Sequence, residues 1–111
     1  MKELISRLLK EVEQHHDINI LFAVESGSRA WGMESSDSDY DIRFVYVRPL
    51  KEYIQVNQRS DVIEEAWDKN GQKHETEGSF FDSVGFDIFK FCRLLASSNP
   101  TVIEWLQSPE Y

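Results

Sequence analysis

The residues best equipped for chemistry lie between positions 27 and 41. Gly27-Ser28 follows a continuous apolar run, Ile18 to Val24 (INILFAV), and Asp39-Tyr40-Asp41 comes eleven residues after Ser28. A glycine-serine turn leading into a helix start exposes backbone N–H groups and a hydroxyl, the groups that receive phosphate oxygens, and glycine permits close approach. On a strand, Asp39 and Asp41 sit at i and i+2, so their side chains share a face while Tyr40, Ile42, Phe44 and Tyr46 point the other way. Paired carboxylates beside such a turn suit a hard dication such as Mg²⁺, which takes carboxylate oxygens together with substrate phosphates. Two such ions roughly 3.5 to 4 Å apart clamp the attacking and leaving oxygens in phosphoryl or nucleotidyl transfer. A third carboxylate commonly completes the site. Asp82 is the expected one, because it falls in a run of β-formers that can pair alongside the first two. Asp87 competes for that place but suits a helix cap better, and Asp37 reads as a solvated loop acid.

These residues need a scaffold. Leu4, Ile5, Leu8, Leu9 and Val12 form one stripe of an amphipathic helix running to about His15. Ile18 to Val24 reads as a buried strand, the Gly- and Ser-rich segment 25–38 as a turn and helix start, and Tyr40 to Val47 as a second strand that Pro49 terminates. Leu50 to Arg59 is ambiguous between a short helix and a loop. Asp61 to Trp67 reads as a strand, Asp68-Lys69-Asn70-Gly71 as a turn, and Gln72 to Val84 as the return of a hairpin. Asp87 caps a helix from Ile88 to about Ser97, Asn99-Pro100 breaks it, and a last helix runs from Thr101 to Gln107. The expectation is one α/β (α+β) domain over residues 1–111, with a mixed, mostly antiparallel sheet of four or five strands and helices on one side.

With 111 residues, 41% of them apolar and 13% aromatic, the chain has the mass for one core, which argues against both disorder and a second domain. Twelve basic against 20 acidic residues leave a net charge of −8, which excludes a broad basic face for gripping nucleic acid. Cys92 is the only cysteine, so no internal disulfide forms and a cysteine-ligated metal is excluded; a reducing, cytoplasmic setting fits. Glu3 and Arg7 interrupt the N-terminal apolar stretch, which argues against a signal peptide or membrane span.

Gly-Ser, a spacer of about ten residues, then Asp-x-Asp on a strand resembles the signature of nucleotidyltransferases of the DNA polymerase β superfamily, matched here by Gly27, Ser28, Asp39 and Asp41. The longer strings GSRAWGMESSDSDYDIRFVYV and DIFKFCRLLASSNPTVIEWLQSP are similar to a bacterial and phage branch of that superfamily associated with RNA repair. The resemblance implies transfer of a nucleoside monophosphate from an NTP to an acceptor hydroxyl, on an RNA end or a protein, with pyrophosphate leaving. It implies that Gly27 and Ser28 hold the triphosphate, and that Asp39 and Asp41 bind a two-metal Mg²⁺ site with Mn²⁺ as a substitute. Asp82 would be the third ligand and the base, with Arg29 and Lys90 as phosphate contacts. Members of the branch continue beyond an ending like SPxxY with helices that cover the site and bind the acceptor, whereas this sequence stops at Tyr111, as a short natural version, a remnant or a fragment.

A second reading is a partner-binding module on the same minimal fold, such as the antitoxin half of a toxin and antitoxin pair. The SSNPTVIEWLQSP string favours the RNA-repair kinship over it. Arg29, Arg43, Arg48 and Lys90 either form a focused positive wall for a triphosphate or make surface ion pairs. His15 and His16 read as structural at a helix C-terminus, His74 as exposed, and Cys92 as a small buried residue. Trp31 is expected under the phosphate turn, Trp67 and Trp105 in the core or on a partner surface, and an exposed Trp105-Leu106 pair would favour a homodimer.

Overall fold

The apolar stripe winds the N-terminal segment into α1 (Lys2–His16), which buries Ile5, Leu8, Leu9 and Val12. Asp17 ends it in the left-handed region at φ 53°, its N–H returning to the Glu13 carbonyl. The computed structural model describes residues 1–32, 39–57, 59–75 and 77–111, with Ser28 and Trp31 as main chain only. Asp37 and the Trp31 ring therefore lie outside what is described.

Four strands follow from the β-rich runs: β1 (Asn19–Glu25), β2 (Tyr40–Val47), β3 (Val62–Trp67) and β4 (Phe81–Asp87). They form one mixed sheet in the order β1-β2-β4-β3. The outer pairs are antiparallel and the central β2–β4 pair is parallel, with Asp41 opposite Asp82 and Tyr46 opposite Asp87. The β3–β4 turn is built as its sequence predicts: the Asp68 carboxylate accepts from Asn70 N–H at 2.8 Å and Gln72 N–H at 3.0 Å, and Gly71 sits at φ 81°. Regular pairing resumes only at Phe81, because the polar residues from Gln72 onward have nothing apolar to bury; one isolated bridge joins Trp67 to Lys73.

The ambiguous segment contains a short helix, α2 (Leu50–Tyr53), and two longer helices close the chain, α3 (Ile88–Ala96) and α4 (Pro100–Gln107). Asp87 caps α3 by accepting from Phe89 N–H at 2.8 Å, and Asn99 caps α4 by accepting from Thr101 N–H at 2.9 Å.

Helices cover both faces of the sheet, which corrects the expectation of one. On one face α1 packs against Ile42, Phe44, Tyr46, Ile63, Trp67 and Phe81. On the other, Phe91 of α3 with Val102 and Trp105 of α4 packs against Val24 and Val45, and Trp105 stacks on Phe86 at 4.6 Å. The consecutive buried residues of β2, Phe44, Val45 and Tyr46, show the covering of both faces directly, whereas β1 leaves Leu21 exposed and is covered fully only from Ala23 to Glu25. Of the two readings for Trp105 the core holds: it is buried in the second core and leaves Leu106 as the exposed member of the pair. The expectation of a buried Cys92 fails, because α3 turns Phe91 inward beside it. Among the described residues, no helix is long and apolar enough to cross a membrane.

Candidate active site

β1 and β2 deliver the Gly-Ser turn and the aspartates to the same edge of the sheet. β1 ends at Glu25, the chain turns through Ser26 and Gly27, and a 3-10 turn at Ser28–Trp31 begins with Ala30 N–H donating to the Gly27 carbonyl at 2.9 Å. Ser26 N–H donates to the Asp41 carbonyl at 2.9 Å, which ties the turn to the start of β2. Gly27 lies directly against the Asp41 carboxylate: a Cβ added there would stand 2.2 Å from Oδ2. Close approach is thus the reason for glycine at this position.

Asp41 and Asp82 are opposed in the parallel register, and one guanidinium serves both. Arg43 Nη2 lies 4.0 Å from Asp41 Oδ1 and 3.5 Å from Asp82 Oδ2, while its Nη1 donates to the Ile42 carbonyl at 2.9 Å. Partial burial raises the Asp41 pKa above the ordinary aspartate value; Arg43 opposes the rise and the charges of Asp82 and Asp39 add to it. By formal charge the three aspartates outnumber Arg43, the guanidinium that pairs with two of them, while the raised pKa itself reflects burial first. Asp39, exposed just before β2, borders a shallow groove of about 360 Å³ that it shares with Lys69 and Ser79.

All-oxygen donors with surplus negative charge suit Mg²⁺. Asp41 and Asp82 would hold it, with Asp39 at the rim. The three aspartates do not draw ligand oxygens together within 4.8 Å of one another; among the described residues His15, His16 and Glu65 alone do so. Arg29 lies over the Tyr40 ring, 3.9 Å from its centroid, beside the site. The structure brings Gly27, Asp41 and Asp82 together, holds Arg29 over Tyr40 instead, and leaves Asp87 and Lys90 apart. Asp87 ends β4, five residues and about 17 Å beyond Asp82, and accepts from the Tyr53 hydroxyl at 2.7 Å. Lys90 pairs there with Asp61 at 3.6 Å. The basic side chains accordingly form no continuous wall: Arg48 lines a separate cavity of about 480 Å³ with Tyr53, Arg59 and Asp61.

Two residues of the site escape the sequence reading. The buried Glu25 carboxylate accepts from Gly27 N–H at 3.1 Å and from Asp41 N–H at 3.0 Å through Oε2, and from the Tyr111 hydroxyl through Oε1. Three donors thus satisfy a charge that would otherwise be expensive to bury. Tyr111 is itself held by its N–H on the Ala23 carbonyl at 2.8 Å, and Glu25 N–H donates to the Pro109 carbonyl at 3.0 Å. Burial, then the hydrogen bond to Glu25, pushes the Tyr111 phenol far above its ordinary pKa, so it remains a donor throughout the physiological range. An acid directly after an apolar strand was the available signal for Glu25; Tyr111 carries none locally, being 86 residues away.

A Gly-Ser turn packed on the first of two in-register aspartates, at one edge of a mixed sheet, defines a nucleotidyltransferase-type architecture. The chain belongs to the RlaP family, the RNA repair pathway DNA polymerase beta family, which it matches over residues 1–111. It is 44% identical over 108 residues to the uncharacterized protein YcgL of Bacillus subtilis (strain 168), an alignment covering 97% of this chain and 38% of that protein. The chain thus spans well under half the length of this curated relative. No solved structure matches it.

Proposed function

We propose that this chain carries the nucleotide and metal site of a Mg²⁺-dependent nucleotidyltransferase, which moves a nucleoside monophosphate from an NTP to an acceptor hydroxyl and releases pyrophosphate. The observation that supports it best is the pairing of Asp41 with Asp82 across β2 and β4, with Gly27 packed on the Asp41 carboxylate. When bound, Mg²⁺ would supply neutralisation of phosphate charge and alignment of the reacting oxygens. The protein's own part is positioning. Glu25 fixes the Gly27 and Asp41 main chain, the turn at Gly27-Ser28 receives the triphosphate, and Asp82 accepts the proton of the attacking hydroxyl. Arg29, held over Tyr40, is the further phosphate contact of this reading.

The family's description favours an RNA end as acceptor. A protein hydroxyl is the other candidate. A single unpaired, exposed Cys92 accords with a cytoplasmic, reducing setting.

Calorimetric titration with each of the four NTPs, with and without Mg²⁺, tests the proposal. Binding that requires Mg²⁺ and disappears in Asp39→Ala and Asp41→Ala, both folded by circular dichroism, is the expected result. A folded wild-type chain that binds no NTP, or variants that bind unchanged, would refute it, the first outcome turning attention to the partner-binding module.

A further inference from the structure

On the opposite face of the sheet lies a second cluster of metal-binding side chains. His15 and His16 end α1, and Glu65 stands on β3 between Ile63 and Trp67, which point into the α1-facing core. His15 Nδ1 lies 3.6 Å from Glu65 Oε1, and His16 Nε2 lies 3.6 Å from Glu65 Oε2. One ligand atom from each of the three residues falls within 4.8 Å of the other two. We propose that His15, His16 and Glu65 form a binding site for a transition-metal dication, with Zn²⁺ as its reference occupant.

Four features carry this. The donor set, two imidazoles and one carboxylate, is one that zinc and its neighbours in the first transition row accept and that Mg²⁺ does not favour. Bonds of about 2.0 to 2.2 Å at tetrahedral angles place neighbouring donors on the order of 3.3 Å apart; each imidazole lies 3.6 Å from its own Glu65 oxygen, and one donor from each residue has to close from within 4.8 Å. His16 Nε2 is buried and has no hydrogen-bond partner, a polar atom facing a buried carboxylate across a gap that an ion fills. Both elements are also anchored: Asp17 N–H closes the end of α1 on the Glu13 carbonyl, and Ser83 Oγ donates to the Glu65 carbonyl at 2.8 Å.

The Glu65 side chain is only 7% exposed and calls for a cation, which Lys73 supplies by placing its ammonium on Oε1. That side chain is 55% exposed and lies 5.8 Å from the centroid of the Trp67 ring, so it can retire to the ring face or to water when a dication takes its place. Lys73 is therefore the competitor of the metal, and this makes a distinctive test. The exposed His15 borders an open groove of about 350 Å³ shared with Glu11 and Gln14, which gives an ion its entry and a water the fourth position.

The site stands apart from the aspartates and does not depend on the proposed activity. The full chain, stripped with EDTA, is titrated with Zn²⁺ by calorimetry and with Co²⁺ by visible absorption. One equivalent is expected to bind, with the strong visible bands of tetrahedral Co²⁺, in wild type and equally in Asp41→Asn. His15→Gln and His16→Gln should each weaken binding by about 10-fold or more, and Lys73→Met should tighten it. No saturable Zn²⁺ binding by the folded wild-type chain would overturn the proposal, as would binding indifferent to both histidines or weakened in Lys73→Met. The histidine and lysine variants leave the Glu65 carboxylate in place, so the test does not rest on a core substitution that could unfold the chain.

Discussion

Gly27→Ala puts the packing at the aspartate edge to its sharpest test. The added Cβ would lie 2.2 Å from Asp41 Oδ2, 2.9 Å from Cγ and 3.0 Å from Cβ. Restoring ordinary contact, about 3.4 Å, requires the carboxylate oxygen to retreat by more than 1 Å. The Asp41 main chain cannot absorb this, since its N–H is held by Glu25 and its carbonyl by Ser26. Rotation of the side chain away from Asp82 is the remaining escape, and with the carboxylate 40% exposed there is room for it. Overpacking costs about 1 to 3 kcal/mol, and this site belongs at the low end, near 1 kcal/mol, or about 5 °C in Tm. The functional loss is larger, because a displacement of about 1 Å in a positioned group costs on the order of 100-fold. Calorimetry of Mg²⁺-dependent NTP binding should show that loss while circular dichroism stays native. Gly85→Ala is the control: its Cβ would stand 2.1 Å from Phe44 Cε2, inside the core, so stability should fall by about 1 to 3 kcal/mol with binding by the folded fraction preserved. Wild-type affinity and Tm in Gly27→Ala would refute the reasoning.

Tyr111→Phe removes one of the three donors on Glu25 and should lower stability by about 1.5 kcal/mol, read by urea unfolding, with weaker Mg²⁺-dependent NTP binding because Gly27 and Asp41 lose their common anchor. Burial raises the Tyr46 phenol to about 12, so the folded chain keeps its proton after the unfolded chain has lost it near pH 10. Stability should therefore hold below pH 10 and fall between pH 10 and 12 by about 1.4 kcal/mol per pH unit for such a group. Tyr46→Phe should reduce that slope by its own share, leaving the part that the raised Tyr111 phenol contributes, and an unchanged slope would refute the assignment.

Local patterns made β2, α1 and the caps at Asp87 and Asn99 legible, because each is decided by residues within a turn or a strand's length. Asp82 was placed by assuming that its strand pairs beside β2, and the parallel register puts it opposite Asp41. What stayed hidden is non-local. Glu25 looks like one more polar turn residue until Tyr111 closes on it, and Lys90 looks like a phosphate contact until the length of β4 carries it to the far end. The coverage of both faces was not legible in INILFAV, where apolar type does not mark burial: Leu21 stays half exposed while Ala23 and Val24 are buried.

The order β1-β2-β4-β3 also has a kinetic meaning. β1 with β2, and β3 with β4, are antiparallel pairs of consecutive strands, while only the parallel β2–β4 seam joins the two halves. Gly27 and Asp41 belong to one half and Asp82 to the other, so the carboxylates first meet when the halves dock. Docking has to overcome loop-closure entropy, while Arg43, within 4.0 Å of both carboxylates, offsets their mutual repulsion. The aspartate site thus straddles the seam where the two antiparallel halves of the sheet meet.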